Sequence, residues 1–207
     1  MSDNTTINNR QFQKVEKIAF SLPPMGIFNA RLASLAFIGT YTKTFKNNDG
    51  VEESKELEMV GLNYQFTDLN TGELSEALTE CVLSYHPDSR LYASILGLNN
   101  GEPLKENTDL SSLLGNAVRI EIIHQSGKDK QGNAKQYASI KSVSPLDANM
   151  TQPPQVESTV YYDIQAHDEK IYETLNRKHT WLIENKSHEK GKKLTQKTVE
   201  KKIKEVV

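Results

Sequence analysis

Basic and aromatic side chains recur close together in this 207-residue sequence. Cations bind phosphates, and aromatic faces stack on nucleobases, with each stack contributing roughly 1 to 3 kcal/mol. The cationic candidates are Arg31, Lys43, Lys46, Lys128, Lys130, Lys135 and Lys141. The candidates for stacking are Tyr41, Phe45, Tyr64, Tyr85 and Tyr137. Together they predict a surface that holds single-stranded nucleic acid.

Each of these residues also has an ordinary structural interpretation. A lone loop lysine is usually a solubilising surface charge. An aromatic residue in a strand, as at Tyr64, Tyr85 and Tyr137, usually packs in a core with its hydroxyl at the rim. Tyr41 and Phe45 are the strongest stacking candidates, because they lie in the segment TYTKTFK, which is too polar for a core. Only the grouping of cations on two loops favours a binding function.

The stretch AVRIEIIHQSGKDKQGNAKQYASIKSVSPL predicts a β-hairpin with a long polar tip. It contains four of the candidate lysines, Lys128, Lys130, Lys135 and Lys141. In AVRIEII, Val118, Ile120 and Ile122 alternate with polar residues, as in a half-buried strand. The same alternation in YASIKSV predicts that Ile140 and Val143 lie on opposite faces. Between the two strands, SGKDKQGN contains the glycines and polar residues of a turn.

The rest of the chain predicts the elements that position these loops. Strands are expected over 27–46, Glu56–Phe66 and about Thr79–Tyr85, and one or two short helices in SRLYASILGLN and DLSSLLG. The order β-β-β-α-β-β is that of an OB-fold, a five-stranded Greek-key barrel. Oligonucleotides contact such barrels at the loops between strands 1 and 2 and between strands 4 and 5. Here those loops are TYTKTFKNNDGVEESKE and HQSGKDKQGNAKQ, and both contain lysines.

Composition divides the chain into four parts. We expect a flexible N-terminal arm at 1–22, an OB-fold domain at 23–146, a linker and packing segment at 147–189, and a basic tail at 190–207. The net charge of −2 conceals an asymmetry, because residues 170–207 carry about +6 and the remainder about −8. The tail is therefore expected to be a partly helical extension with its own partner or a self-association role.

Several functional classes find no support in the sequence. One cysteine, Cys81, excludes an intrachain disulfide and predicts a buried thiol in a strand. Five scattered histidines lack metal-ligand spacing, so no metal or cofactor is expected. Catalytic motifs such as GxSxG, Walker A and GxGxxG are missing, which predicts a protein that is not an enzyme. No run of eighteen apolar residues and no signal-peptide pattern occurs, so no membrane partner is expected.

Three blocks carry a resemblance to a known family. The first, Pro24 to Leu32, has the pattern Pro-x-Gly-x-x-x-Ala-Arg-Leu. The second is a Leu-Gly pair that leads into the strand before the polar hairpin. The third, Tyr137 to Ser144, reads Tyr-Ala-x-Ile-x-Ser-Val-Ser. In these blocks, which lie within Pro23 to Glu189, the chain resembles bacteriophage single-stranded-DNA-binding proteins with an OB-fold.

The resemblance implies a non-sequence-specific coat for single-stranded DNA during phage DNA replication and recombination, in the cytoplasm of the bacterial host. Arg31, Lys43 and the hairpin lysines would contact phosphates. Phage or host replication proteins and further copies of the chain are the expected protein partners. One departure is the basic end KKIKEVV, where many replicative proteins of this kind end in an acidic tail. The alternatives are a phage structural or adaptor protein that uses the barrel and tail for protein contacts, and a nuclease or other enzyme.

Overall fold

The computed structural model describes residues 22–46, 49–129 and 131–188, and the predicted N-terminal arm except Leu22, the basic tail and Lys130 lie outside them. The described chain is mainly β, with one six-stranded sheet and few helices. The strands are β1 Gly26–Lys46, β2 Glu52–Thr67, β3 Leu74–Val82, β4 Ala117–Lys128, β5 Ala134–Pro145 and β6 Val160–Asp163. The helices are α1 Arg90–Leu98, a 3-10 helix at Leu110–Leu113, α2 Glu169–Thr174 and α3 Arg177–Lys186.

The long strand β1 organises the sheet, because it pairs with three others. It is antiparallel to β2 over most of its length and to β4 between Gly26 and Arg31. Between Ser34 and Phe37 the short strand β6 takes over the second edge of β1, in parallel orientation. The hydrogen-bonded order is β3-β2-β1-β4-β5, with β6 beside β1, and β3 and β5 do not pair.

The strands β1 and β2 are buried on both faces. One face, with Leu32, Leu35 and Tyr64, belongs to a core shared with β4, β5 and α1. The other face, with Ile38 and Tyr41, belongs to a second core completed by β6, α2 and α3. Register shifts between Leu32 and Ser34 and between Phe37 and Gly39 each add one unpaired residue to β1. Such bulges bend a strand and increase its twist.

The helices begin where the sequence offers a capping side chain. Before α1, Ser89 Oγ accepts a hydrogen bond from Tyr92 N at 3.0 Å. Asp109 accepts one from Ser111 N at 2.7 Å before the 3-10 helix. A side-chain oxygen at this position satisfies an otherwise unpaired N–H of the first turn. Helix α1 then buries its apolar side against β3, β4 and β5, as its helical spacing predicted.

The expected strands are confirmed, with corrected limits. Strand β2 begins at Glu52, so most of the segment that was predicted as a loop is paired with β1. Strand β3 ends at Val82 rather than at Tyr85. Cys81 is buried in β3, and burial raises the pKa of its thiol to about 11. The sequence did not predict β6, whose four residues are too few to show a period.

One predicted alternation in the β4–β5 hairpin is wrong. Ile120 lies opposite Val143 and Ile122 lies opposite Ile140, because the register shifts by one residue between them. Val143 and Ile140 therefore both reach the core instead of facing opposite sides. The extra residue on β5 is Lys141, which stays exposed. A bulge cannot be read from strict two-residue alternation, because it breaks that alternation.

Candidate nucleic-acid interface

The outer face of the β4–β5 hairpin is the side turned away from the core. On β4 it comprises the odd-numbered residues, including Arg119, Ile123 and Gln125, since Val118, Ile120 and Ile122 point inward. On β5 it includes Tyr137, opposite Gln125, and Ser139, opposite Ile123. Directly opposed residues of an antiparallel pair point to the same side. This outer face therefore presents cationic, aromatic and hydroxyl groups along both strands, together with one carboxylate, Glu121.

A hydrogen-bonded turn fixes the end of this hairpin. Asp129 Oδ1 accepts hydrogen bonds from Gln131 N and Asn133 N, both at 2.9 Å. Asp129 N in turn donates to Asn133 O at 2.9 Å. Hydrogen bonds from Asn133 lower the pKa of Asp129, so its carboxylate stays charged while it serves the turn. Lys128 and Lys135 leave the two ends of this turn, at a spacing set by the backbone.

Tyr137 is the exposed aromatic residue beside these lysines. The residue is 40% exposed, and its hydroxyl donates a hydrogen bond to Lys128 O at 2.9 Å. Lys135 Nζ lies 5.6 Å from the ring centroid, within cation–π range. The ring packs against Gly127, where an added Cβ would lie 2.9 Å from it. The glycine therefore allows the ring to lie close against the strand.

The β1–β2 hairpin presents its candidates differently. Tyr41 is 2% exposed in the second core, and burial raises the pKa of its hydroxyl. A base therefore cannot stack on its ring in this arrangement. Phe45 is partly exposed, and Lys55 Nζ lies 5.0 Å from its ring centroid. Lys43 lies opposite Lys55 in the register, and the exposed Lys46 lies opposite an acidic residue, Glu52.

The other candidates are occupied by structural contacts or lie apart. The Arg31 guanidinium donates to Gly115 O at 2.9 Å and to the carbonyls of Pro153 and Pro154, so it holds the 146–159 segment across the sheet. Tyr64 is fully buried. Lys141 Nζ is 2.9 Å from Glu121 Oε1. Exposed Tyr85 lies between β3 and α1.

Strand pairing separates the two candidate loops. Strand β4 leaves β1 at the Gly26 end, where Gly26 lies opposite Ile122, and continues beyond it to Lys128. The β1–β2 connection is at the other end of β1, after Lys46. The two loops therefore do not form one cluster along the strands. The two bulges in β1, between Leu32 and Ser34 and between Phe37 and Gly39, lie between these two ends and bend the strand.

Sequence reasoning did not select Arg119 or Ile123 as site residues, although both lie on the outer face of the β4–β5 hairpin. The sequence contained the information needed to select Arg119, since the alternation in AVRIEII already placed it opposite the core face.

The net charge of the two hairpins also distinguishes them. Residues 124–141 contain four lysines and one aspartate, whereas 41–58 contain three lysines and five carboxylates. The β4–β5 hairpin is thus basic and the β1–β2 hairpin acidic.

Comparisons with protein-family models and with curated proteins found no match for this chain. Within 22–46, 49–129 and 131–188, no group of three or more histidine, cysteine or carboxylate side chains is arranged to hold a metal ion. Among the helices of these same segments, none combines the length and apolar character needed to cross a membrane. The class that is established is a mainly β protein with an antiparallel sheet, few helices and a basic hairpin.

Proposed function

We propose that the chain binds single-stranded DNA without sequence specificity, as a non-enzymatic coat in phage DNA replication and recombination. The contact surface is the end of the β4–β5 hairpin, where Lys135 and Tyr137 lie on the outer face and the exposed Lys128 lies where β4 enters the turn. Lys128 and Lys135 bind phosphates, and Lys130, which lies between them in the sequence, is a third candidate. Tyr137 stacks on a base. This assignment narrows the predicted site to one of the two hairpins.

The fold that we assign to this function is an OB-fold barrel. Its support is the element order together with the strand order β3-β2-β1-β4-β5. Helix α1 lies between β3 and β4 in the chain and contacts β3, β4 and β5. The free edges of β3 and β5 also lie in contact, and pairing between them would close the barrel in OB-fold order.

The observation that carries the proposal is the grouping of Lys128, Lys135 and Tyr137 at the end of the hairpin. All three are exposed, the Tyr137 hydroxyl donates to the backbone oxygen of Lys128, and Lys135 Nζ lies over the Tyr137 ring. Phosphate binding by lysine and stacking on tyrosine are both indifferent to base identity. The hairpin therefore has the chemistry of a sequence-tolerant contact.

The test is a salt titration of the full-length chain binding to fluorescent oligo-dT. Three phosphate contacts predict that log affinity falls with log salt at a slope of about −2, since each contact to a single strand contributes about −0.7. Oligo-dA and mixed-sequence strands should bind with similar affinity, and a duplex of equal length more weakly. An absence of binding at low salt would refute the proposal and favour the adaptor role.

A further inference from the structure

A polar cavity of about 320 Å³ lies on the side of the sheet that faces the second core. Strands β1, β2 and β3 supply Ser34, Asn63 and Glu76, and the segment before β6 supplies Glu157. Asn176, the residue that precedes α3, completes the wall. None of these residues belongs to the outer face of the β4–β5 hairpin. The cavity is thus a separate feature, and the inference drawn from it does not depend on DNA binding.

Two buried polar atoms at this cavity have no hydrogen-bond partner among the described residues. They are Ser34 Oγ and Asn63 Oδ1, and their residues are 4% and 3% exposed. Burying such an atom without a partner costs about 1 to 3 kcal/mol, so native proteins nearly always satisfy it. Asn63 Oδ1 can only accept a hydrogen bond. A ligand group that reaches Asn63 Oδ1 must therefore donate a hydrogen bond to it.

The charges around the cavity favour a ligand of positive charge. Glu76 and Glu157 are exposed at its rim, whereas no lysine or arginine of the described segments lines it. Glu76 Oε2 accepts a hydrogen bond from Asn176 Nδ2, which ties the carboxylate to the α2–α3 junction. A phosphate or carboxylate ligand would meet two like charges here. A cationic ligand would meet two opposite charges.

We propose that this cavity binds a guanidinium group. Guanidinium is planar, carries five N–H donors and is more weakly hydrated than ammonium, so it enters a partly buried site more readily. Its donors match Asn63 Oδ1, Ser34 Oγ and the rim carboxylates. A cavity of about 320 Å³ is at the lower end of the range for ligand sites, which suits one side chain or one small molecule.

The test uses the full-length, ¹⁵N-labelled chain and three capped or free probes. N-acetyl-arginine amide should saturably shift the side-chain amide signals of Asn63 and of Gln65, which also lines the cavity. N-acetyl-citrulline amide, which has the same shape without the charge, should bind at least tenfold more weakly. Free L-arginine, the third probe, tests whether the guanidinium group belongs to a peptide or to a small molecule. Tighter binding of the capped amide assigns the site to an arginine in a peptide, and tighter binding of L-arginine assigns it to a free small molecule.

Two variants connect the signal to the cavity. Glu76→Gln keeps an oxygen for Asn176 but removes the charge, and it should weaken binding of N-acetyl-arginine amide on the order of fivefold to tenfold. Ser34→Ala removes a buried hydroxyl without adding volume and should also weaken it. Glu106→Gln, an exposed carboxylate outside the cavity, should have no effect.

Two results would overturn the proposal. Equal affinity for the arginine and citrulline probes would mean that charge plays no part. An absence of saturable shifts at Asn63 and Gln65 would mean that the cavity holds ordered water only.

Discussion

The β1–β2 and β4–β5 hairpins both carry lysines and an aromatic residue, but they differ in what covers them. The middle of β1–β2 lies between two cores, with Tyr41 inside one of them. The segment just after α3 is attached there as well, since His188 N donates to Thr40 O at 2.9 Å. On β4–β5 the outer face has no second core among the described residues, and Tyr137 is 40% exposed.

The difference shows that lysine and aromatic content does not distinguish a binding loop from a structural hairpin. In β1–β2 each basic residue is near an excess of carboxylates, and the best-placed aromatic ring is buried. In β4–β5 the only carboxylate of the turn is used by backbone N–H groups. We therefore expect changes in β1–β2 to lower stability and changes in β4–β5 to lower DNA affinity.

The largest effect is expected from Gly61→Ala in β2. An added Cβ would overlap the ring of the fully buried His179, which has no room to move. We expect a loss of about 3 kcal/mol in the free energy of unfolding, as for overpacked cores, measured by urea denaturation. The matched control is Gly127→Ala in β4, where the exposed Tyr137 ring can move aside, so that stability changes little. Equal losses in the two variants would contradict the comparison.

The next effect concerns pH. Burial lowers the pKa of His179 from 6.5 to about 3. Between these two pH values the His179 ring takes up a proton in the unfolded chain but stays neutral in the folded one. Stability from this histidine is present above pH 6.5 and is lost as pH falls toward 3. At pH 5 we expect the free energy of unfolding to be about 2 kcal/mol lower than at neutral pH. Urea denaturation at a series of pH values measures this loss.

The control for this pH dependence is a second histidine. His179→Gln should flatten the stability profile between pH 6.5 and 4. His86→Gln, at an exposed histidine, should leave it unchanged. A profile that His179→Gln does not alter would show that other groups cause the acid sensitivity.

Reversing the charge of lysines on the β4–β5 hairpin should weaken DNA binding. Lys128→Glu with Lys135→Glu is expected to weaken oligo-dT binding about tenfold or more and to reduce the salt slope by about 0.7 for each lost contact. Lys43→Glu with Lys46→Glu makes the same charge change on β1–β2 and should weaken binding much less. Fluorescence anisotropy at constant salt measures both, and equal losses would assign phosphate contacts to both hairpins.

The smallest effect is expected from Tyr137→Ala. Loss of one partly exposed stacking surface should weaken oligo-dT binding about fivefold, or about 1 kcal/mol. Tyr137→Phe retains the ring and loses only the hydrogen bond to Lys128 O, so it should bind nearly as wild type. Anisotropy titrations compare the two. An alanine variant with unchanged affinity would exclude Tyr137 as a stacking residue.

Much of the sheet could be predicted because local patterns contain it. Alternation identified β4 and the course of β1, the turn residues located the hairpin end, and capping residues such as Ser89 marked where helices begin. For the candidate site, the sequence selected Lys128, Lys135 and Tyr137. It did not separate them from Tyr41 and Arg31, because burial and hydrogen bonding of a side chain depend on residues far along the chain.

The sequence by itself therefore determined a mainly β chain whose basic hairpin ends in a polar turn, since strand period and turn chemistry are properties of neighbouring residues. Only the tertiary structure decided that β6, α2 and α3 cover the second face of β1–β2. That packing buries Tyr41, while the 146–159 segment occupies Arg31. The bulge at Lys141 was also decided there. These features arise from contacts between segments more than a hundred residues apart, or from a register that both strands must satisfy together.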